Sequence, residues 1–315
     1  METQSYDLFG NKITDPKRTM SDYFGVAPFS ILNTVDGDWQ QRKKRWNILI
    51  NDKGDMRSGA LKAKNDKTES SVDLAIQNLN NGVSILDAVL AELIIKWFTE
   101  ENFKTFDPFA GDTVFGFVSS FLKRPFTGIE LRKEQADFNQ LQCDLNNLNA
   151  KYICDSSENM DNYIENESKD FIFSCPPYFN LEVYSDLEND LSTMTQDNFF
   201  KMYSKILTNT YKKLKNNRFA VIVTSEVRDK KTGEYIMLVP HTIGIMKRAG
   251  YMFYNDIILM NSCGTLPLRT GKMMNSGRKI GRRHQNVLVF YKGDPKKIKE
   301  NFSELIPKNE YYDNK

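Results

Sequence analysis

The sequence predicts an α/β protein with a mostly parallel seven-stranded sheet and helices on both faces. Three observations carry that prediction. From Ser84 onward, short runs rich in β-branched and aromatic residues alternate with helical stripes, the pattern of repeated strand–helix units. Strand length and β-branched content fix the individual strand assignments. A chain of 315 residues can bury a full core as one large domain.

The elements follow in order. Residues 1–80 are polar and irregular, broken by Gly25, Pro28, Gly37, Gly54 and Gly59, with 62–71 reading as a solvated link. Within them Trp39-Gln-Gln-Arg-Lys-Lys-Arg-Trp46 reads in two ways. It is a helix face whose basic stems lie over apolar surface between two tryptophan anchors, or a segment that contacts phosphates. Ile85, Leu86, Val89, Leu90, Leu93, Ile94 and Trp97 form a helical stripe, with Ser84 as its expected N-cap. Strands are expected at 103–106, 126–129, 152–154, 170–174, 218–224, 256–260 and 286–291. Helices are expected at 113–122, 132–146, 198–214 and 239–248.

Composition narrows the function. Apolar residues are 40% and charged residues 27%, the usage of a globular protein. No apolar run reaches the roughly 20 residues that span a bilayer, and Met1–Asp7 lacks a signal pattern, so an intracellular, cytoplasmic protein without membrane partners is expected. Four cysteines without a CxxC spacing and two histidines predict neither a disulfide scaffold nor a metal site. With a net charge of +2, nucleic-acid binding has to come from a local patch.

Asp107-Pro-Phe-Ala-Gly-Asp-Thr113 follows the first strand and opens a helix, the turn where open α/β sheets bind nucleotide-like ligands. Gly111 allows a close backbone approach, and helix-start amides supply donors. Glu130 ends the second strand, where an acid suits ribose hydroxyls. Asp155 ends the third and suits an adenine amino group. The glycines do not form G-x-G-x-x-G and the turn holds no basic residue, which argues against NAD and a P-loop and for an adenosyl cofactor without phosphates.

After the fourth strand comes Ser174-Cys-Pro-Pro-Tyr178. Its two prolines fix the backbone and lack N–H groups, so the carbonyls before them face few competing donors. Asp107-Pro-Phe-Ala-Gly111, Gly128-Ile-Glu130 and Cys175-Pro-Pro-Tyr178, in that order, resemble the S-adenosylmethionine-dependent amino methyltransferases of DNA, which act on adenine N6 or cytosine N4. Phe29-Ser-Ile-Leu32, Trp39-Gln-Gln-Arg-Lys43, Ser84-Ile-Leu-Asp87, Leu181–Asp186, Glu226-Val-Arg-Asp229, Leu266-Pro-Leu-Arg269 and His284–Phe290 look like a phage-type DNA methylase subgroup. The resemblance runs from about Tyr23 to Pro295. It implies a Rossmann-like methyltransferase fold and S-adenosylmethionine held by Asp107, Pro108, Phe109, Ala110, Gly111, Glu130 and Asp155. It also implies a catalytic loop of Cys175, Pro176, Pro177 and Tyr178. There the Pro176 carbonyl and the side chain at 175 accept the amino hydrogens while Tyr178 stacks on a base flipped out of double-stranded DNA.

The family usually has Asp, Asn or Ser where Cys175 stands, and a thiol is a weak acceptor. Three readings follow: an active enzyme relying on the Pro176 carbonyl, a slow or inactive DNA-binding protein, or a target that departs from the family's, a covalent C5-cytosine reaction included. An RNA amino methyltransferase is the remaining rival. From Ile257 to Gly293 there is no acid, while Arg269, Lys272, Arg278, Lys279, Arg282 and Arg283 crowd together with four glycines. That predicts a flexible DNA-binding loop over 261–285. Glu182, Asp186, Glu188, Asp190 and Asp197 follow the catalytic loop and are expected to cap it by hydrogen bonds, with Glu226, Arg228 and Asp229 in the same network. The expected organisation is thus an N-terminal elaboration over 1–80 with a candidate DNA contact, a methyltransferase domain over 81–295, and a C-terminal tail over 296–315.

Overall fold

The computed structural model describes residues 20–50 and 85–305. Ser84, the 62–71 link and the end of the C-terminal tail lie outside the described residues. The sheet has eight strands: β1 (Ile31–Asn33), β2 (Thr105–Asp107), β3 (Phe126–Glu130), β4 (Ala150–Cys154), β5 (Lys169–Ser174), β6 (Leu214–Thr224), β7 (Met252–Met260) and β8 (His284–Lys292). Their order across the sheet is β1-β7-β8-β6-β5-β2-β3-β4. All pairs are parallel except those of β8, which runs antiparallel to both β6 and β7. This is a Rossmann-like doubly wound sheet whose strand order reverses between β2 and β5.

The helices are α1 (Met20–Phe24), α2 (Gly37–Ile50), α3 (Ala88–Phe98), α4 (Val114–Phe121), α5 (Lys133–Leu145), α6 (Gln196–Lys213), α7 (Leu238–Ala249), α8 (Leu266–Gly277) and α9 (Ile298–Asn301). Strand alternation divides the core. Phe171, Phe173, Val221, Val287 and Val289 face one side, packed with α2, α3 and α4. Ile172, Ala220, Ile222, Leu288 and Phe290 face the other, packed with α6 and α7.

The all-apolar opening of α3 has a reason: every residue from Ala88 to Ile95 is buried, because α3 lies between the sheet and α2. Glu92, in the middle of that run, would be costly alone. It accepts from Arg42 Nε at 2.7 Å and Nη2 at 2.6 Å, Trp46 Nε1 at 2.7 Å and Lys96 Nζ at 2.6 Å. Burial pushes its carboxyl up, but those hydrogen bonds outweigh burial and hold it at about 2. Trp39 and Trp46 are both buried, while the basic run between them stays at the surface: Arg42 and Lys43 are half-buried and Lys44 and Arg45 exposed.

Three expectations need correction. The cap of α3 is Asp87, whose carboxylate accepts from Val89 N and Leu90 N. The eighth strand, β1, adds a parallel edge to β7. Part of the supposed loop over 261–285 is helix α8, with Pro267 in its first turn and Arg278 in the left-handed region after its end.

Candidate active site

Three segments meet at the carboxyl ends of β2, β3 and β5. The first is the turn after β2. Asp107 Oδ1 accepts Phe109 N at 2.8 Å and the Ser174 hydroxyl at 2.5 Å, which bends the chain and joins the turn to β5. Ala110 N donates to Ile129 O at 3.0 Å, laying the turn against β3. That approach requires Gly128, because a Cβ there would come within 2.7 Å of Ala110 Cβ. Gly111 takes φ +49° and its carbonyl accepts from Asn139 Nδ2 at 2.9 Å. Asp112 accepts Val114 N at 2.9 Å and Leu86 N at 2.8 Å, so one carboxylate starts α4 and holds the entry to α3.

The second segment is the end of β3. Glu130 is 8% exposed and accepts Arg132 N at 3.0 Å, with the Arg132 guanidinium 3.3 Å away. The third is Ser174–Tyr178. Tyr178 Oη accepts from Gln285 Nε2 at 2.8 Å and lies 3.3 Å from Cys175 Sγ. Either the phenol or the thiol can be the donor in this second contact. Phe179 follows in the left-handed region at φ +54° and is buried, a strained position for a bulky residue.

These segments line one cavity of about 550 Å³, within the range of small-ligand sites. Asp107, Pro108, Phe109, Ala110, Gly111, Glu130, Cys175, Pro176, Pro177 and Tyr178 all face it. Asp87, Asp107, Asp112, Glu130, Glu182 and Asp190 put six acidic residues on its wall against two basic ones, Lys43 and Arg132. Burial, with Asp112 and Glu130 nearby, pushes Asp107 up to about 7 despite its two hydrogen bonds. Burial pushes the Cys175 thiol up to about 12, so it is neutral. Tyr178 is raised well above its ordinary value by burial.

Asp155 stands apart from this cavity. Its carboxylate takes Tyr163 Oη at 2.7 Å and Asn159 Nδ2 at 3.0 Å, which hold it low, and Ser156 and Ser157 line the wall in its place. The basic segment divides. Arg282 donates to Ser225, His284 and Asn286, and Arg283 to the Asn261 carbonyl, so both fasten the strand ends. Arg269, Lys272 and Arg278 are exposed on or just after α8, and Lys279 is half-buried. Where the sequence predicts an acidic stretch that caps the catalytic loop, Asp190 caps its own segment, accepting Ser192 N at 2.8 Å and Ser185 Oγ at 2.7 Å. Glu226 instead receives Leu238 N and Val239 N at the start of α7. Arg228 stacks 3.8 Å from the Tyr235 ring, and Asp229 holds its own turn.

Sequence reasoning missed Thr34, Gln40, Ser157, Asn261 and Gln285 on the cavity wall. Gln40 and Gln285 lie in the Trp39–Lys43 and His284–Phe290 runs that carry the family resemblance, and Lys43 in the basic run; Thr34, Ser157 and Asn261 reach the site with no motif marking them.

No protein-family model matches the chain, and no curated protein matches it. Among solved structures it resembles TrmN from Thermus thermophilus (TM-score 0.45, 14% identity, covering 71% of this chain and 54% of that one). It also resembles a SAM-dependent methyltransferase from Methanosarcina mazei (0.44, 13%, 63% and 96%). A third likeness is to the [4+2]-cyclase SpnF (0.48, 11%, 70% and 93%). The chain thus spans about half the length of TrmN. At these identities and scores, the likenesses decide nothing about substrate or reaction. Among the described residues, no group of His, Cys, Asp or Glu could hold a metal ion, and no helix is long and apolar enough to cross a membrane.

Proposed function

We propose that this protein transfers a methyl group from S-adenosylmethionine to an exocyclic amino nitrogen of a base in double-stranded DNA, adenine N6 ahead of cytosine N4. One observation carries the reading: the Asp107–Gly111 turn, Glu130 and the Cys175–Tyr178 loop line a single acid-rich cavity. The residues fit the cofactor by charge. Six acidic residues favour a sulfonium and an ammonium and disfavour phosphates. When bound, the cofactor supplies an electrophilic methyl group on a positively charged sulfur.

The chain's own residues do the rest. Glu130, at the end of β3, offers its carboxylate to ribose hydroxyls. An exocyclic amine gains positive charge as it attacks, and acceptors aimed at its hydrogens stabilise that charge. The Pro176 carbonyl is the stronger acceptor available in the loop. Cys175 is a neutral thiol, a weak acceptor already in contact with the Tyr178 hydroxyl, so it contributes less. Gln285 and Cys175 fix the Tyr178 ring, giving a flipped base a rigid face to lie against. The exposed cations of α8 and the absence of acids from 257 to 293 support a DNA partner.

Tyr178→Ala tests the division of labour. Losing the stacking face is expected to lower kcat by about tenfold or more while the cofactor Kd stays within about twofold. Equal losses in both would place Tyr178 in cofactor binding and remove the base-binding role of the loop.

A further inference from the structure

The run Arg42-Lys-Lys-Arg45 looks like a single basic patch in the sequence, but its four cations have separate fates. Arg42 is taken by Glu92. Lys44 and Arg45 are exposed. Lys43 alone reaches the wall of the acid-rich cavity.

Its placement is specific. Lys43 Nζ donates to Asp87 Oδ2 at 2.9 Å, and its side chain is 37% exposed. Asp87 is itself immobilised, because its Oδ1 accepts Trp39 Nε1 at 3.2 Å, Val89 N at 2.9 Å and Leu90 N at 3.4 Å. The adjacent Leu86 N donates to Asp112 at the start of α4. Lys43 and the cofactor turn therefore stand on two sides of the same Leu86–Asp87 segment. An ammonium has three donors and Lys43 spends one on Asp87, leaving two for a ligand. The other cation on the wall, Arg132, is 5% exposed and committed to Glu130 and Gln135.

A ligand with a zwitterionic end faces a problem in such a cavity. Its ammonium finds acids everywhere, but its carboxylate meets repulsion unless a cation stands at one place. We propose that Lys43, held by Asp87, is the anchor for the α-carboxylate of the amino-acid part of S-adenosylmethionine. This rests on the cofactor reading above. It assigns the N-terminal elaboration to cofactor binding at this position, where the sequence suggests a phosphate contact. Glu130 would then hold the adenosine part, and the Cys175–Tyr178 loop would face the amine that receives the methyl group.

Calorimetry on the full chain tests the assignment with two ligands: S-adenosylmethionine, and 5′-methylthioadenosine, which lacks the amino-acid part. Lys43→Met is expected to weaken S-adenosylmethionine by about tenfold or more and to leave methylthioadenosine within about twofold of wild type. Lys43→Arg is expected to recover most of that affinity. Lys43→Gln replaces Lys43→Met if the latter lowers the melting temperature. Unchanged S-adenosylmethionine affinity, or equal loss of both ligands in a variant that melts like wild type, overturns the anchor. A flatter salt dependence of DNA binding with unchanged cofactor affinity also overturns it and assigns Lys43 to phosphate. A wild-type chain that binds neither ligand fails differently, since it removes the cofactor reading itself.

Discussion

Asp107 is the residue on which the cavity's chemistry turns. It is buried at the switch point of the sheet, and burial raises its carboxyl to about 7. A proton on it lowers the negative charge facing a cationic ligand, so cofactor affinity should rise as pH goes from 6 to 8. Asp107→Asn should bind more weakly at pH 8 and lose that rise, as titration calorimetry at both pH values can show. The stability sign runs the opposite way. The folded value of about 7 lies above the ordinary 3.8, so the protonated carboxyl stabilises the fold fully below about pH 4, and that stability is lost as pH rises through 7. Asp107→Asn should therefore melt higher than wild type at pH 8 and close to it at pH 4. The place of Asp107 in the cavity was legible because its neighbours are contiguous: turn, glycine and helix start lie within seven residues of sequence. That of Gln285 was not. Its tie to Tyr178 joins positions 107 residues apart, and only the folded sheet brings them together.

At the scale of elements, strong periodicity was readable and weak periodicity was not. The continuous apolar runs of β5 and β6 and the apolar stripe of α3 placed the core correctly, since burial on both faces of a strand leaves an unbroken apolar run. Strand β1 has three residues, too few to show a period, and is a strand only because it pairs with β7. Helix α8 read as a loop because Gly264, Gly271 and Gly277 suggested flexibility and because none of its residues is buried. On the proposed DNA-binding reading, that exposure would make the helix a phosphate contact. Arg269, Lys272 and Arg278 project from it without an ion pair among the described residues, while Arg282 and Arg283 are spent on strand ends. Reversing Arg269, Lys272 and Arg278 to Glu should weaken DNA binding and lower the slope of log K against log salt by about 0.9 for each phosphate no longer neutralised. The cofactor affinity should stay unchanged. An unaltered slope would move the DNA-binding surface elsewhere.

For the whole molecule, labour is divided by place. The sheet's carboxyl edge supplies the cavity, the N-terminal elaboration closes one wall with Thr34, Gln40 and Lys43, and α8 stands free beside the β7–β8 lip, where Asn261, Ser262 and Gln285 line the cavity. On the proposed reading, a cofactor in an acid-lined pocket and a polyanion on a basic surface would need opposite fields, and the acids of the cavity and the exposed cations of α8 stand on separate elements. The central claim is methyl transfer to a DNA base, and one assay addresses it directly. The protein is mixed with methyl-labelled S-adenosylmethionine and, separately, unmethylated DNA and RNA, and the digested nucleosides are identified by mass spectrometry. The expected result is label in DNA on an exocyclic amino nitrogen, N6-methyladenine before N4-methylcytosine. Label confined to RNA, or no label on either nucleic acid while the cofactor binds, would contradict it.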